Sequence, residues 1–118
     1  MRRLEVPQIS VDALAARLHS QDPFVLLDVR ENWELQRAAI KDPRLQRKPM
    51  SQLSREGLAG LPAGAQSRDA EIYVLCHLGP RSDQVTGWLV SQGWSRAFSV
   101  SGGIDAYARK IDPSVGSY

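Results

Sequence analysis

The chain has 118 residues, 42% of them hydrophobic and 24% charged, with 15 Lys and Arg against 13 Asp and Glu for a net charge of +2. That size and balance read as one globular α/β domain over residues 1–118, not a fibre, a disordered chain or a membrane protein. The basic residues are scattered, densest at Arg2-Arg3 and from Arg44 to Lys48, without the one-sided patch and interleaved aromatics of a nucleic-acid binder.

Met1 to Pro7 carries no apolar run of signal-peptide length, and no stretch approaches the ~18 consecutive apolar residues of a membrane span. A single cysteine, Cys76, forms no internal disulfide. A cytoplasmic location with Cys76 reduced is the expectation.

Val11, Leu14, Ala15 and Leu18 recur at i, i+3, i+4 and i+7, which predicts a helix with Ser10 as its N-cap. Phe24 to Val29 is a continuous apolar run broken only by Asp28, the pattern of a strand buried on both faces. Glu31 to Ala39 predicts a helical turn or two, and the polar, basic Lys41–Lys48 stretch an exposed loop. A short helix over Ser51–Leu61, interrupted by Gly57 and Gly60, precedes a loop from Pro62 to Ala70.

Ile72-Tyr73-Val74-Leu75 predicts a second buried strand that runs directly into Cys76. From Gly79 the pattern turns helical, with Val85, Trp88 and Leu89 on one face and Gly93 as the stop. Ala97–Val100 predicts a third strand, Ser101-Gly102-Gly103 a turn, and Ile104, Tyr107, Ala108 and Ile111 a last helix. Strands alternating with helices imply a parallel sheet covered on both faces, with ligands bound beyond the carboxyl ends of the strands. Asp28, Arg30 and Cys76 all fall on that rim.

A thiol reacts as its thiolate, which a free cysteine of pKa ~8.5 forms only in small part at neutral pH. A helix N-terminus offers unsatisfied N–H groups and partial positive charge to such an anion. Gly79 suits an N-cap, Pro80 the first helical position, and Arg81 adds a fixed positive charge. The bland alternative is that Cys76 is a small buried hydrophobe at a strand end.

Cys76-His77-Leu78-Gly79-Pro80-Arg81-Ser82 resembles the C-x-x-G-x-R-S active-site loop of the rhodanese-like sulfurtransferases. Leu27-Asp28-Val29-Arg30-Glu31, followed by Glu34 and Leu35, is similar to the family's L-D-V-R-x-x-x-E-Y/F segment. Pro49 to Leu53 resembles its I-P-x-x-x-L, and Gly93-Trp94 through Val100-Ser101-Gly102-Gly103 its closing G-[FYW]…L-x-G-G. The resemblance covers nearly the whole chain. It implies a three-layer fold around about five parallel strands and a Cys76 that accepts a sulfane sulfur as a persulfide.

On that resemblance, main-chain amides cradle the outer sulfur, and Leu78, Gly79 and Arg81 shape the cradle. Ser82 steadies the loop or helix start. His77 either contributes charge or a hydrogen bond near the sulfur, or is a half-exposed loop side chain. Donors are thiosulfate or a persulfide, acceptors a thiol or cyanide, and a partner protein in a sulfur relay is open. No nucleic acid, membrane, metal or other cofactor is expected, since no second Cys or His stands at metal-ligand spacing.

Four residues separate Cys76 from Arg81, whereas the related phosphatases and arsenate reductases carry five. The shorter loop suits one sulfur atom better than a tetrahedral oxyanion. A rhodanese-like module that binds a partner with little turnover is the competing reading. Ala38-Ala39-Ile40 stands where the family usually has Gly-His-Ile, and the following segment is longer than usual.

Asp28 is expected to pair with Arg81 and brace the loop, or else to cap the following turn. Arg30 is expected as a rim cation that attracts an anionic donor. Glu31 and Glu34, beside Arg30 and Arg37, read as surface ion pairs.

Overall fold

The computed structural model describes residues 5–118, so the Arg2-Arg3 cluster lies outside the described residues. Strands β1 (Gln8–Ile9), β2 (Val25–Asp28), β3 (Leu45–Arg47), β4 (Ile72–Leu75) and β5 (Ala97–Val100) form one parallel sheet in the order β1-β5-β4-β2-β3. Helices α1 (Val11–His19), α2 (Asn32–Leu35), α3 (Met50–Glu56), α4 (Pro80–Ser91) and α5 (Gly103–Lys110) connect or follow them. Among the described residues no helix is long and apolar enough to cross a membrane.

The alternation of side chains along each strand divides the core in two. Leu27, Val29, Val74 and Cys76 pack with Leu53 of α3, Val85 and Leu89 of α4 and Trp94 on one face of the sheet. Leu26, Tyr73, Leu75 and Val100 meet Val11 and Leu14 of α1 and Ile104 and Tyr107 of α5 on the other. β2 and β4 are buried at every position, as their apolar runs require, and the burial extends to Asp28 at the end of β2.

Local signals set the helix boundaries. The Ser10 hydroxyl accepts the Ala13 N–H at 3.1 Å at the start of α1. Gly93, with φ of 106°, turns the chain after α4, and Trp94 then donates from Nε1 to the Ala65 carbonyl at 2.9 Å. Ala65 belongs to a 3-10 turn, Ala63–Ala65, within the expected Pro62–Ala70 loop.

One stretch departs from expectation. Lys41–Lys48 is not wholly a loop, because Leu45–Arg47 pairs with β2 as the edge strand β3. Its exposed Gln46 and Arg47 carry no apolar alternation, which is how an edge strand escapes a search for buried runs. Arg44 anchors its start, donating to Asp42 and to the main-chain oxygens of Leu18, Ser20 and Asp22.

Candidate functional site

β4 is the middle strand, with the chain leaving it to one side through α4 and β2 lying on the other. This is the rim position at which open parallel sheets place their ligands. Cys76 is its first residue beyond β4, and Pro80 opens α4. Gly79, the residue before the helix, has φ of 128°, a value that strains any side chain. That geometry folds the loop back so that the Gly79 N–H donates to Cys76 Sγ at 3.1 Å.

Cys76 is fully buried. Its thiol points to Ser82 Oγ at 3.4 Å, and Ser82 in turn donates to the Gly79 carbonyl at 2.9 Å and bonds Ser99 Oγ at 2.7 Å. Ser82 therefore ties loop, helix and β5 together under the sulfur. At the base of the loop the first turn of α5 holds two carbonyls: Ile104 N–H donates to Cys76 O at 2.9 Å and Asp105 N–H to His77 O at 3.1 Å. The sulfur is thus buried but faces an amide, not aliphatic groups alone.

The charged residues are paired differently from expectation. Asp28 does not reach Arg81. Its carboxylate accepts from the Arg30 main-chain N–H at 3.1 Å, Nε at 3.0 Å and Nη2 at 2.8 Å. Arg30 is not a rim cation: it has no exposed surface and also donates to the Tyr118 hydroxyl at 3.1 Å. Burial opposes the Arg30 charge, but the Asp28 hydrogen bonds overcome it and its pKa is raised.

Arg81 is held instead by Glu34, in a fork with Nη1–Oε1 at 2.5 Å and Nη2–Oε2 at 2.8 Å. Glu34 is buried rather than part of a surface ion pair. Its Oε1 also accepts the Glu31 N–H at 3.1 Å and completes the capping box of α2. The Arg81 bond, more than the smaller contributions of Tyr118 and the Glu31 amide, lowers the Glu34 pKa to about 2 against the opposing effect of burial. Arg81 is correspondingly raised, mainly by Glu34 and in small part by Cys76.

A carboxyl depressed in the folded state adds stability that is complete above its unfolded pKa and lost as pH falls through the folded one. Glu34 should therefore contribute above pH ~4.5 and cease to contribute near pH ~2. Urea denaturation across that window should show Glu34→Gln flattening the acid limb by about 1 to 2 kcal/mol, since the partly exposed guanidinium is screened by solvent. A limb of unchanged slope would contradict the pairing.

Two residues of the site escape the sequence reading. Glu34 lies in the quoted motif, and the Glu31/Glu34 capping-box spacing signals its inward turn, but nothing local names a partner 47 positions away. Tyr118 carries no motif at all. It stacks on the His77 ring at 3.8 Å between centroids and meets Trp33 edge-on at 6.1 Å. His77 is accordingly half-buried, with Nε2 2.9 Å from the Tyr118 main-chain oxygen. Trp33 and Leu78 stay exposed, at 59% and 56%.

The site is thus a strand-end cysteine whose Sγ accepts the Gly79 N–H at the start of α4, with Arg81 in the first turn of that helix held by Glu34, on a three-layer α/β fold. The Rhodanese-like domain family matches residues 10–110, and the chain belongs to that family. A chloroplastic protein of Arabidopsis thaliana, named for rhodanese-like and PpiC domains, is 35% identical over 98% of this chain and 38% of its own length.

A protein of Allochromatium vinosum named sulfurtransferase is 29% identical over 93% of this chain and 95% of its own. The chain spans 38% of the Arabidopsis relative and 54% of a putative sulfur carrier protein of Bacillus subtilis. Among solved structures, a rhodanese-like domain protein of Staphylococcus aureus superposes with a TM-score of 0.70 at 27% identity, covering 86% of this chain and 90% of that one. The names of these relatives associate the family with sulfur transfer.

Proposed function

We propose that the protein is a sulfurtransferase working through a Cys76 persulfide. The observation that supports it best is the 3.1 Å approach of the Gly79 amide to a lone sulfur at the start of α4, with Arg81 fixed by Glu34 alongside.

In the first half-reaction the Cys76 thiolate attacks the outer sulfur of thiosulfate. The sulfur–sulfur bond of the donor breaks, and sulfite leaves with the electron pair. The first-turn N–H groups of α4 at Arg81 and Ser82, which no helical carbonyl reaches, are the donors suited to the outer sulfur. Pro80 withdraws one potential donor from that ring.

In the second half-reaction an acceptor such as cyanide attacks the outer sulfur, and the Cys76 thiolate departs unchanged. A persulfide donor and a thiol acceptor follow the same balance. No resolving cysteine is needed, because the sulfur leaves to an external nucleophile. Phosphoryl or arsenate chemistry is the poorer reading, since the loop holds four residues between Cys76 and Arg81 and closes tightly over one sulfur.

Incubation with thiosulfate and then cyanide should yield thiocyanate, and Cys76→Ser should reduce it to background. Equal output from the variant would eliminate the mechanism. No output from either protein would favour a partner-binding module, for which the exposed Trp33 and Leu78 are the available contact surface.

A further inference from the structure

Beyond α5 the chain makes a 3-10 turn, Pro113–Val115, and returns to the rim. It docks against the segment after α2. Ala39 N–H donates to Val115 O at 2.9 Å, and a side chain at Gly116 (φ 98°) would lie 2.5 Å from Arg37 O and 3.2 Å from Ala38 Cα. The two alanines that replace the family's usual Gly-His thus lie where this segment lands.

Docking carries Tyr118 into the charge network. Its hydroxyl donates to Glu34 Oε2 at 2.7 Å and accepts from Arg30 Nη1 at 3.1 Å. An unbroken chain of hydrogen bonds runs from Asp28 through Arg30, Tyr118 and Glu34 to Arg81. The ring covers His77, the neighbour of Cys76. Residues 10–110 carry the family match, so Tyr118 lies outside it.

We propose that Tyr118 is a positioning residue for the Cys76 site: its hydroxyl sets how much of the Arg81 charge Glu34 neutralises, and its ring fixes His77. With the phenol in place, Glu34 divides its lone pairs between Tyr118 and Arg81. Without the hydroxyl, Arg81 is left as the one side-chain partner of a buried carboxylate among the described residues, and less of its positive field reaches an incoming anion. The ring acts separately, through the stack, on the order of the loop itself. The burial that raises the Tyr118 pKa to about 12 keeps the hydroxyl protonated, and so a donor, throughout the neutral range.

The inference rests on Cys76 being the reacting group, and its test does not require sulfur transfer. The whole chain is alkylated with neutral iodoacetamide and with anionic iodoacetate, and both rates are measured for Tyr118→Phe, Tyr118→Ala, Gly116→Ala and Arg81→Gln. Tyr118→Phe should slow iodoacetate about threefold to fivefold, the scale of a partly exposed charge contact, and leave iodoacetamide within about twofold.

Tyr118→Ala and Gly116→Ala, which release the ring as well, should alter both rates, with phenylalanine restoring the neutral reagent. Tyr118→Phe combined with Arg81→Gln should be no slower toward iodoacetate than Arg81→Gln alone. Equal changes for both reagents in Tyr118→Phe, or additive losses in the double variant, would overturn the proposal. Failure to form thiocyanate with a normal alkylation pattern would sink the proposed activity and leave this inference standing.

Discussion

Gly103→Ala is expected to slow thiocyanate formation about a hundredfold and to destabilise the domain by about 3 kcal/mol, through overpacking at a strained backbone position. Gly103 has φ of +62°, where alanine is strained in open space. The space is not open. A Cβ there would overlap the His77 carbonyl and lie 2.7 Å from Cys76 O. Those carbonyls are the two that Ile104 and Asp105 hold, so the methyl group would lever the start of α5 away from the loop it clamps.

A displacement of ~1 Å is enough to cost about a hundredfold in rate when it moves a reacting atom. Gly87→Ala is the control, because its Cβ would meet only Val6 Cγ2 at 3.5 Å within α4. That variant should keep its activity and gain up to about 1 kcal/mol from helix propensity. Urea denaturation and the thiosulfate–cyanide assay on both variants decide the matter. An active, stable Gly103→Ala protein would show that the clamp does not position the cysteine.

The parts of this fold that sequence reveals are those where one local signal has one structural outcome. Ile72–Leu75 and Ala97–Val100 are strands over the expected residues, since a short apolar run between turns has few alternatives in a sheet covered on both faces. Ser10, Gly79 and Pro80 mark helix starts by what their own backbones allow. β1 and β3 have no comparable signal, being two and three residues long at the sheet edges.

The charged residues of the site show the same division. Asp28 and Arg30 are visible at a strand end, Arg81 at a helix start and Glu34 in a helical turn, but their pairing depends on which way each side chain turns after the sheet has formed. Asp28 meets Arg30 two residues away, Glu34 crosses to α4, and Tyr118 arrives from the far end of the described chain. Sequence proximity favoured none of the long-range partners.

The same pairing makes Asp28→Ala the most damaging change to stability. Arg30 is wholly enclosed and Asp28 is 1% exposed. Removing the carboxylate strips the Nε and Nη2 bonds from a guanidinium that water cannot reach, and leaves the Arg30 main-chain N–H without its side-chain acceptor. Breaking one half of such a buried pair costs about 3 to 5 kcal/mol, because the remaining charge stays desolvated without compensation. Against a typical domain stability of about 5 to 15 kcal/mol, the variant should be close to unfolding at room temperature.

Deleting both charges is a milder insult than deleting one. Asp28→Ala with Arg30→Met should therefore recover about 2 kcal/mol relative to Asp28→Ala alone, although the methionine leaves Tyr118 with one partner fewer. Asp28→Ala with Arg81→Gln should show a smaller coupling than with Arg30→Met, as the two side chains share no direct hydrogen bond and are joined only through Arg30, Tyr118 and Glu34. Chemical denaturation of the three single variants, the two double variants and the unmutated protein settles which partner Asp28 has. Additivity with Arg30→Met, together with a larger coupling to Arg81→Gln, would reverse the assignment and restore a direct brace between Asp28 and the cysteine loop.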